Sequence, residues 1–345
     1  MKRDSLVRLP EALTRPRGDA GDARYLLGVD GGATKTLAAV LDMDAGQLHV
    51  GHGGPSNQDA VGATAAVRAL LEAADEAIAE AGISTERLAA AVLAIAGTDT
   101  EAIERNVRAI RTEDWLVVND VVAAWASATA AGPGLAVIAG TGSNVFGVGP
   151  HDVPWRAGGW GHLLGDEGSG YWLGIHSIKA ALDDREASGP ETALSERAPA
   201  FFGLETVEQL AQHVYSKPLT KGEIAALAVE TARLAQAGDA VARELYVRGA
   251  RELGRQIGAV IEQTRLEGAF PVGLIGGAFK AGPVFIEPLT RATHERAREA
   301  SVARVELQPV GGSLLLAARA CGRAETLRPA ELARLIDEAL ARKPL

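Results

Sequence analysis

The sequence predicts an α/β protein made of two similar sheet-and-helix halves, the second interrupted by a helical insertion. Three observations predict it. Short apolar strands alternate with amphipathic helices, the pattern of a partly parallel sheet covered on its faces. A strand, a small-residue turn and a second strand occur near Tyr25 and again after Gly132-Pro133-Gly134, which reads as a diverged internal repeat. A long stretch, 168–264, carries helical periodicity between the repeated unit and the last strands. The length of 345 residues suits two domains of about 150 residues each.

The elements follow in order. Residues 1–24 hold six Lys/Arg and four Asp/Glu without a continuous apolar run, so they form no secretory signal and read as a flexible extension. Tyr25-Leu26-Leu27-Gly28-Val29 is a strand, residues Asp30 to Thr36 break it, and Leu37-Ala38-Ala39-Val40-Leu41 resumes as a second strand. Between 61 and 82, Val67, Leu70, Leu71, Ala74 and Ile78 recur at helical steps opposite Arg68, Glu72, Glu76 and Glu80, and Gly82 stops the helix. A strand over 89–96, a helix over 101–110, a strand over 115–118 and a helix over 121–131 complete the first domain, 25–131. The second domain, 132–322, restarts with a strand over 135–139, the turn Gly140-Thr141-Gly142-Ser143-Asn144 and a strand over 145–148. Its insertion occupies about 168–264, where Leu245, Leu253, Ile257, Val260 and Ile261 line one side of the longest helix. A strand over 272–275, the turn Gly276 to Lys280, a helix over 284–300, a strand over 302–307 and an apolar helix opened by Gly311-Gly312-Ser313 follow. Residues 323–345 hold a C-terminal helix, about 329–341, expected at an edge.

Composition excludes several function classes. Hydrophobic residues make up 47% and charged residues 23%, so disordered, collagenous and disulfide-stapled proteins drop out. Forty glycines, about 12% against a usual ~7%, imply many close backbone approaches. Aromatic residues at 4% are too few for a base-stacking surface, and 35 basic against 44 acidic residues leave a net charge of −9. Neither nucleic acid nor an anionic membrane is an expected partner. The single cysteine, Cys321, permits no internal disulfide and no multi-cysteine metal site. With no apolar stretch of about 18 residues or more, the expectation is a soluble, cytoplasmic protein.

Three glycine-rich turns each follow a short apolar strand: Asp30-Gly31-Gly32-Ala33-Thr34-Lys35-Thr36, Gly140-Thr141-Gly142-Ser143 and Gly276-Gly277-Ala278-Phe279-Lys280. Glycine there lets backbone N–H groups face a phosphate without a Cβ in the way, and Thr34, Thr36, Thr141 and Ser143 offer hydroxyl donors. Each alone is equally a tight hairpin turn; three in the same context favour a nucleotide. The P-loop is excluded because Thr34, not glycine, precedes Lys35, and the dinucleotide fingerprint because Val145 stands where its third glycine would be. Asp30 is either an Asx-turn residue or a carboxylate that holds hydrated magnesium beside a polyphosphate. Asp120, after the strand ending in Val118-Asn119, is either a helix N-cap or a base aimed into a cleft. The stretch Gly158-Gly159-Trp160-Gly161-His162-Leu163-Leu164-Gly165-Asp166-Glu167-Gly168-Ser169-Gly170 suits a loop wrapped around a small polar ligand. Asp166 and Glu167 would accept from hydroxyls and Trp160 would offer an apolar face, with a cap on the following helix as the plain alternative. His162 has no partner at metal-ligand spacing and reads as structural.

These segments together resemble the actin/sugar-kinase/heat-shock-chaperone ATPase superfamily, and within it the BadF/BadG-type ATPases that include N-acetylglucosamine kinase. The match spans Tyr25 to Ala320, and its most specific part is Gly159-Trp160-Gly161-His162 followed by Gly165-Asp166-Glu167-Gly168-Ser169. The resemblance implies two ribonuclease H-like (actin-like ATPase) domains with a nucleotide cleft between them. It implies ATP and Mg2+ as cofactors, Asp30 to Thr36 and Gly140 to Ser143 as phosphate segments, and Gly276-Gly277 as the adenosine segment. By the same carry-over Asp120 is the catalytic base, and Asn57, Gly159, Trp160, Gly161, Asp166 and Glu167 belong to the sugar site. A homodimer is also implied.

The resulting expectation is a kinase transferring the γ-phosphoryl group of ATP to the 6-hydroxyl of an amino sugar, chiefly N-acetylglucosamine. Glucosamine, N-acetylmuramate and other hexoses are alternative acceptors. The rival from another class is a nucleotide-gated switch without sugar chemistry. The lone cysteine sets the chain apart from redox activators of acyl-CoA dehydratases within the resembling family, and the zinc-binding cysteines of ROK-type kinases are also missing.

Overall fold

The computed structural model describes residues 7–15, 24–32, 34–97, 100–111, 113–216 and 219–343. The chain begins with a one-turn helix α1 (Glu11–Thr14) and passes into strands β1 (Tyr25–Gly31), β2 (Thr36–Asp42) and β3 (Gln47–Gly53). Helices α2 (Gln58–Val61) and α3 (Ala63–Glu80) lead to β4 (Leu88–Ile95), α4 (Thr100–Ile110), β5 (Leu116–Asn119) and α5 (Asp120–Thr129). The second run has β6 (Gly134–Ala139), β7 (Ser143–Val148) and β8 (Pro154–Gly158). Six helices follow: α6 (Gly170–Arg185), α7 (Leu194–Phe201), α8 (Val207–Ser216), α9 (Lys221–Ala226), α10 (Ala228–Ala237) and α11 (Ala240–Thr264). The chain ends with β9 (Pro271–Ile275), α12 (Pro283–His294), β10 (Ser301–Arg304), α13 (Pro309–Ala320) and α14 (Pro329–Arg342).

The two sheets bear out the repeat. One has the order β3-β2-β1-β4-β5 and the other β8-β7-β6-β9-β10, the same order element for element. In the first sheet β1 pairs antiparallel with β2, and β2 with β3, while β1, β4 and β5 run parallel. Two compact units result. One comprises the described residues of Met1–Ala136, Val148–Pro154 and Val305–Leu345, the other Val137–Gly147 and Trp155–Arg304.

In the first unit, β1 is buried along nearly its whole length because helices cover both faces of the sheet. On one face α3 lies against β3, and only glycine permits that approach: a Cβ on Gly51 would sit 2.2 Å from the Ala73 carbonyl, and one on Gly53 2.3 Å from that of Ala69. Leu70, Leu71, Ala74 and Ile78 of α3 fill the core with Leu27, Val29, Val40 and Leu93. On the other face α13 passes so close that a Cβ on Gly28 would meet Leu314 N at 2.8 Å, and one on Gly312 would meet the Ala123 carbonyl of α5 at 2.0 Å. The Ser313 hydroxyl donates to Val29 O at 2.9 Å.

Some elements differ from the sequence expectation. Helix α13, expected within the second domain, packs on the first sheet, because Gly28 and Gly312 open room for it there. Within the extension expected to be flexible, residues 7–15 hold α1, whose Leu13 is fully buried and whose Leu13 carbonyl accepts from Arg319 Nε at 2.6 Å. Strands β3 and β8 carry no clear strand signal, helix α12 ends at His294, and β10 stops at Arg304. Helix α14 does meet an edge, with Arg342 donating to Leu48 O of β3 and Lys343 pairing with Glu76. Among the described residues no helix is long and apolar enough to cross a membrane.

Candidate functional site

The first unit gathers its candidate residues at the carboxyl ends of β1, β4 and β5, where parallel strands leave a crevice. Asp30 is the penultimate residue of β1, in register with Leu37 of β2 and Ala94 of β4. Burial pushes its carboxyl up to about 6, while the Lys35 ammonium pulls in the opposite direction. The turn after it is closed by Gly32 N–H donating to Lys35 O at 3.0 Å, leaving Thr34 and Lys35 exposed. Thr36 differs from expectation. It is fully buried and its hydroxyl donates to Gly54 O at 2.7 Å, beside Ser56 Oγ, so it braces the turn from within. Ala33 lies outside the described residues.

The same turn captures Asn57. Ser56 N–H and Asn57 N–H both donate to Gly32 O, at 3.0 and 3.2 Å, and a Cβ on Gly31 would strike Ser56 Oγ at 2.5 Å. Asn57 also caps α2 by accepting from Asp59 N. Along the crevice, Ala96 N–H donates to Gly31 O, and Asn119 Nδ2 donates to Gly97 O at 2.9 Å. Asn119, not Asp120, is the N-cap of α5, accepting from Val121 N. Asp120 is therefore the first helical residue of α5, half-buried.

In the second unit the turn after β6 is built differently. Gly140 N–H closes it onto Gly142 O at 2.9 Å, and the start of α6 docks against it through Gly170 N–H to Gly140 O (2.8 Å) and Tyr171 N–H to Thr141 O. Ser143 N–H donates to Asp166 Oδ1 at 3.1 Å and the Ser143 hydroxyl to Glu167 O at 2.7 Å. The other Asp166 oxygen pairs with Lys221 Nζ of α9 at 2.7 Å. Asp166 is buried at a positive φ of 62° and links the turn to α9. The carboxylate expected at a sugar thus also braces this turn through Ser143 and Lys221. Glu167 is half-buried and accepts from Gln256 Nε2 at 3.1 Å. Gly159 N–H donates to Ser143 O, while Trp160 next to it is 58% exposed beneath the Arg156 guanidinium. His162 is exposed and packs edge-on against Tyr171.

Beside this turn lies a cavity of about 630 Å³. Gly140, Thr141, Gly170 and Gly277 give it a floor almost without side chains. Ala225, Ala228, Val229 and Ala281 supply apolar wall, with Arg233, Gln236 and Lys280 as polar groups around it. Gly276 is held at φ 118°, where a Cβ would lie 2.3 Å from the Ala139 carbonyl, so this turn and that of Gly140 are pressed together. A bare glycine floor beside an apolar wall with a few polar groups fits a nucleoside and the start of its phosphate chain. Sequence reasoning found Gly140, Thr141 and Gly277. It missed Lys221, Gln256, Val229 and Gln236, all of which stand on insertion helices and belong to no local motif.

The chain is similar to known ATPases and sugar kinases over most of its length. The profile of the BadF/BadG/BcrA/BcrD ATPase family matches residues 27–317. An N-acetylmuramic acid/N-acetylglucosamine kinase from Clostridium acetobutylicum is 36% identical over 244 residues, covering 69% of this chain and 80% of the relative. An N-acetyl-D-glucosamine kinase from Dictyostelium discoideum is 29% identical over 313 residues, covering 84% and 97%. A solved structure of a candidate N-acetylglucosamine kinase from Chromobacterium violaceum superposes with a TM-score of 0.65 at 24% identity, covering 86% and 99%, a likeness of fold.

Proposed function

Because the chain belongs to the BadF/BadG/BcrA/BcrD ATPase family, we propose that it is an ATP-dependent kinase that phosphorylates the 6-hydroxyl of an amino sugar, N-acetylglucosamine in the first place. The observation that carries this reading is the glycine-floored cavity at the Gly140 turn in a chain related to amino-sugar kinases over most of its length. N-acetylmuramate is the next acceptor to consider, given the Clostridium relative, and glucosamine follows.

Phosphoryl transfer asks for positioning and charge stabilisation more than for covalent chemistry. Thr141 and Gly142 offer backbone donors to the phosphate chain in the turn that Gly140 closes, and Gly276 and Gly277 admit the adenosine. Gly31, Gly32, Thr34 and Lys35 serve as the second phosphate segment. Asp30 is the residue proposed to hold Mg2+, a hard cation suited to carboxylate oxygen, which when bound neutralises charge on the phosphates. Asp120 accepts the proton of the attacking hydroxyl. Asn57, Asp120, Gly159, Trp160, Gly161, Asp166 and Glu167 are the residues proposed to contact the sugar, with Glu167 oriented by Gln256. Asp166 also acts through Ser143, shaping the phosphate turn. The lone cysteine supports a cytoplasmic setting, and the family resemblance supports a homodimer.

A coupled ADP-release assay with Mg-ATP across amino sugars and hexoses tests the reading. The expected result is a preference of more than about tenfold in kcat/KM for an N-acetylated amino sugar over glucose. ADP release that is indifferent to every sugar would instead favour a nucleotide-gated switch.

A further inference from the structure

The second unit holds another cavity, about 530 Å³, between α6 and α11 and apart from the cavity beside the Gly140 turn. Helix α6 contributes His176, Lys179 and Asp183, helix α11 contributes Glu244 and Arg248, and the segment before α7 contributes Glu191. Its basic groups are organised around one ring. His176 stacks on Trp172 at 3.9 Å, and the Arg248 guanidinium lies 5.5 Å from the centre of the same indole. His176 Nδ1 lies 2.8 Å from Trp172 O, and because a carbonyl only accepts, Nδ1 carries the proton and Nε2 remains an acceptor. Burial above all, with a smaller push from Arg248 and Lys179, holds His176 below its ordinary pKa against the opposing pull of the Trp172 carbonyl.

The acidic groups are close by but do not neutralise this cluster. Lys179 and Asp183 are four residues apart on α6, as are Glu244 and Arg248 on α11, a spacing that usually closes into an ion pair. Among the described residues neither pair is bridged: Glu244 turns to Arg251 at 3.3 Å, and Arg248 to Trp172. Exposed side chains of both signs thus ring a space large enough for a monosaccharide derivative.

We propose that this cavity is a second ligand site for a small zwitterionic phosphate ester of the phosphorylated amino-sugar class. The phosphate is met by Lys179 and Arg248, and the ammonium and hydroxyls by Asp183, Glu191 and Glu244. That the ligand is a sugar rests on the kinase reading; its charge pattern rests on the cavity alone. The helices that line the cavity also reach the loop proposed for the acceptor. The start of α6 docks on the Gly140 turn, and Gly249, next to Arg248, lies so near Gly168 that a Cβ on Gly168 would meet Gly249 O at 2.8 Å.

Calorimetric titration of the full chain with glucosamine 6-phosphate tests this, with glucose 6-phosphate and inorganic phosphate as comparison probes. Glucosamine 6-phosphate is expected to bind at least about tenfold more tightly than either. The double variant K179A/R248A is expected to lose at least about tenfold in affinity while keeping its Tm and its sugar-dependent ADP release. Three results would overturn the proposal: no binding of glucosamine 6-phosphate at millimolar concentration, equal binding by the double variant, or displacement of the probe by N-acetylglucosamine, which would put it in the acceptor site. Failure of the kinase reading shows separately, as ADP release that no sugar stimulates.

Discussion

The turns at Asp30 and Gly140 stand at equivalent places in two sheets of identical strand order, yet their aspartates are used in opposite ways. Asp30 is enclosed with Lys35 as its opposing charge, and its carboxyl is pushed up to about 6. Asp166, which comes to the second turn from a distant loop, has each oxygen committed, one to Ser143 N–H and one to Lys221. The difference teaches that a carboxylate beside a glycine turn is not by itself a ligand-binding group. One faces only Lys35 as an opposing charge, and the other is partnered by Ser143 and Lys221.

The same substitution at the two positions should therefore shift stability in opposite directions. Asp166→Asn removes the charge facing the part-exposed Lys221 of α9 and is expected to lower unfolding free energy by about 2 kcal/mol. Asp30→Asn should raise it by about 2 kcal/mol at pH 7.5 while sharply reducing phosphotransfer. The direction follows from linkage. Between about pH 4 and about pH 6 the folded chain keeps a proton on Asp30 that the unfolded chain has released, so stability from this group falls as pH rises across that window. The gain in Asp30→Asn should accordingly vanish below pH 4. Denaturant melts of both variants at pH 4 and pH 7.5 check the pair, and a stabilising Asp166→Asn would erase the contrast.

Glycine substitutions sharpen the comparison at smaller scale. Gly142→Ala places a Cβ 2.9 Å from both Asp166 oxygens and should cost about 2 kcal/mol, with a raised KM for ATP. Gly32→Ala meets only Lys35 O at 3.3 Å and should cost under about 1 kcal/mol. Thr36→Val, which removes the buried hydroxyl donating to Gly54 O, is expected to fall between them, at about 1 kcal/mol. Thermal melts with ATP titrations rank the three.

Much of this was legible in the sequence because the information is local. A short apolar run ending in glycines marks both a strand end and a bare backbone, so all three turns and the repeat of the halves could be read directly. Strand β3 was hidden because Gly51 and Gly53, needed for the approach of α3, erase the alternation that signals a strand. The commitment of Asp166 could not be read, since Lys221 lies 55 positions away and pairing across an insertion leaves no local trace. For the same reason Gln256, 89 positions from Glu167, and the apolar wall of the cavity beside the Gly140 turn emerged only in three dimensions. At Asp120 the sequence offered cap or base, and the capping geometry of Asn119 removed the first reading.

The central claim is that Asp120 takes the proton of a sugar hydroxyl during phosphoryl transfer. Steady-state kinetics of Asp120→Asn with Mg-ATP and N-acetylglucosamine, on protein whose Tm matches the parent, tests it most directly. The account predicts a fall in kcat of about 10²–10⁴ with KM values little changed; retention of most of the parental kcat by a folded Asp120→Asn protein would contradict it.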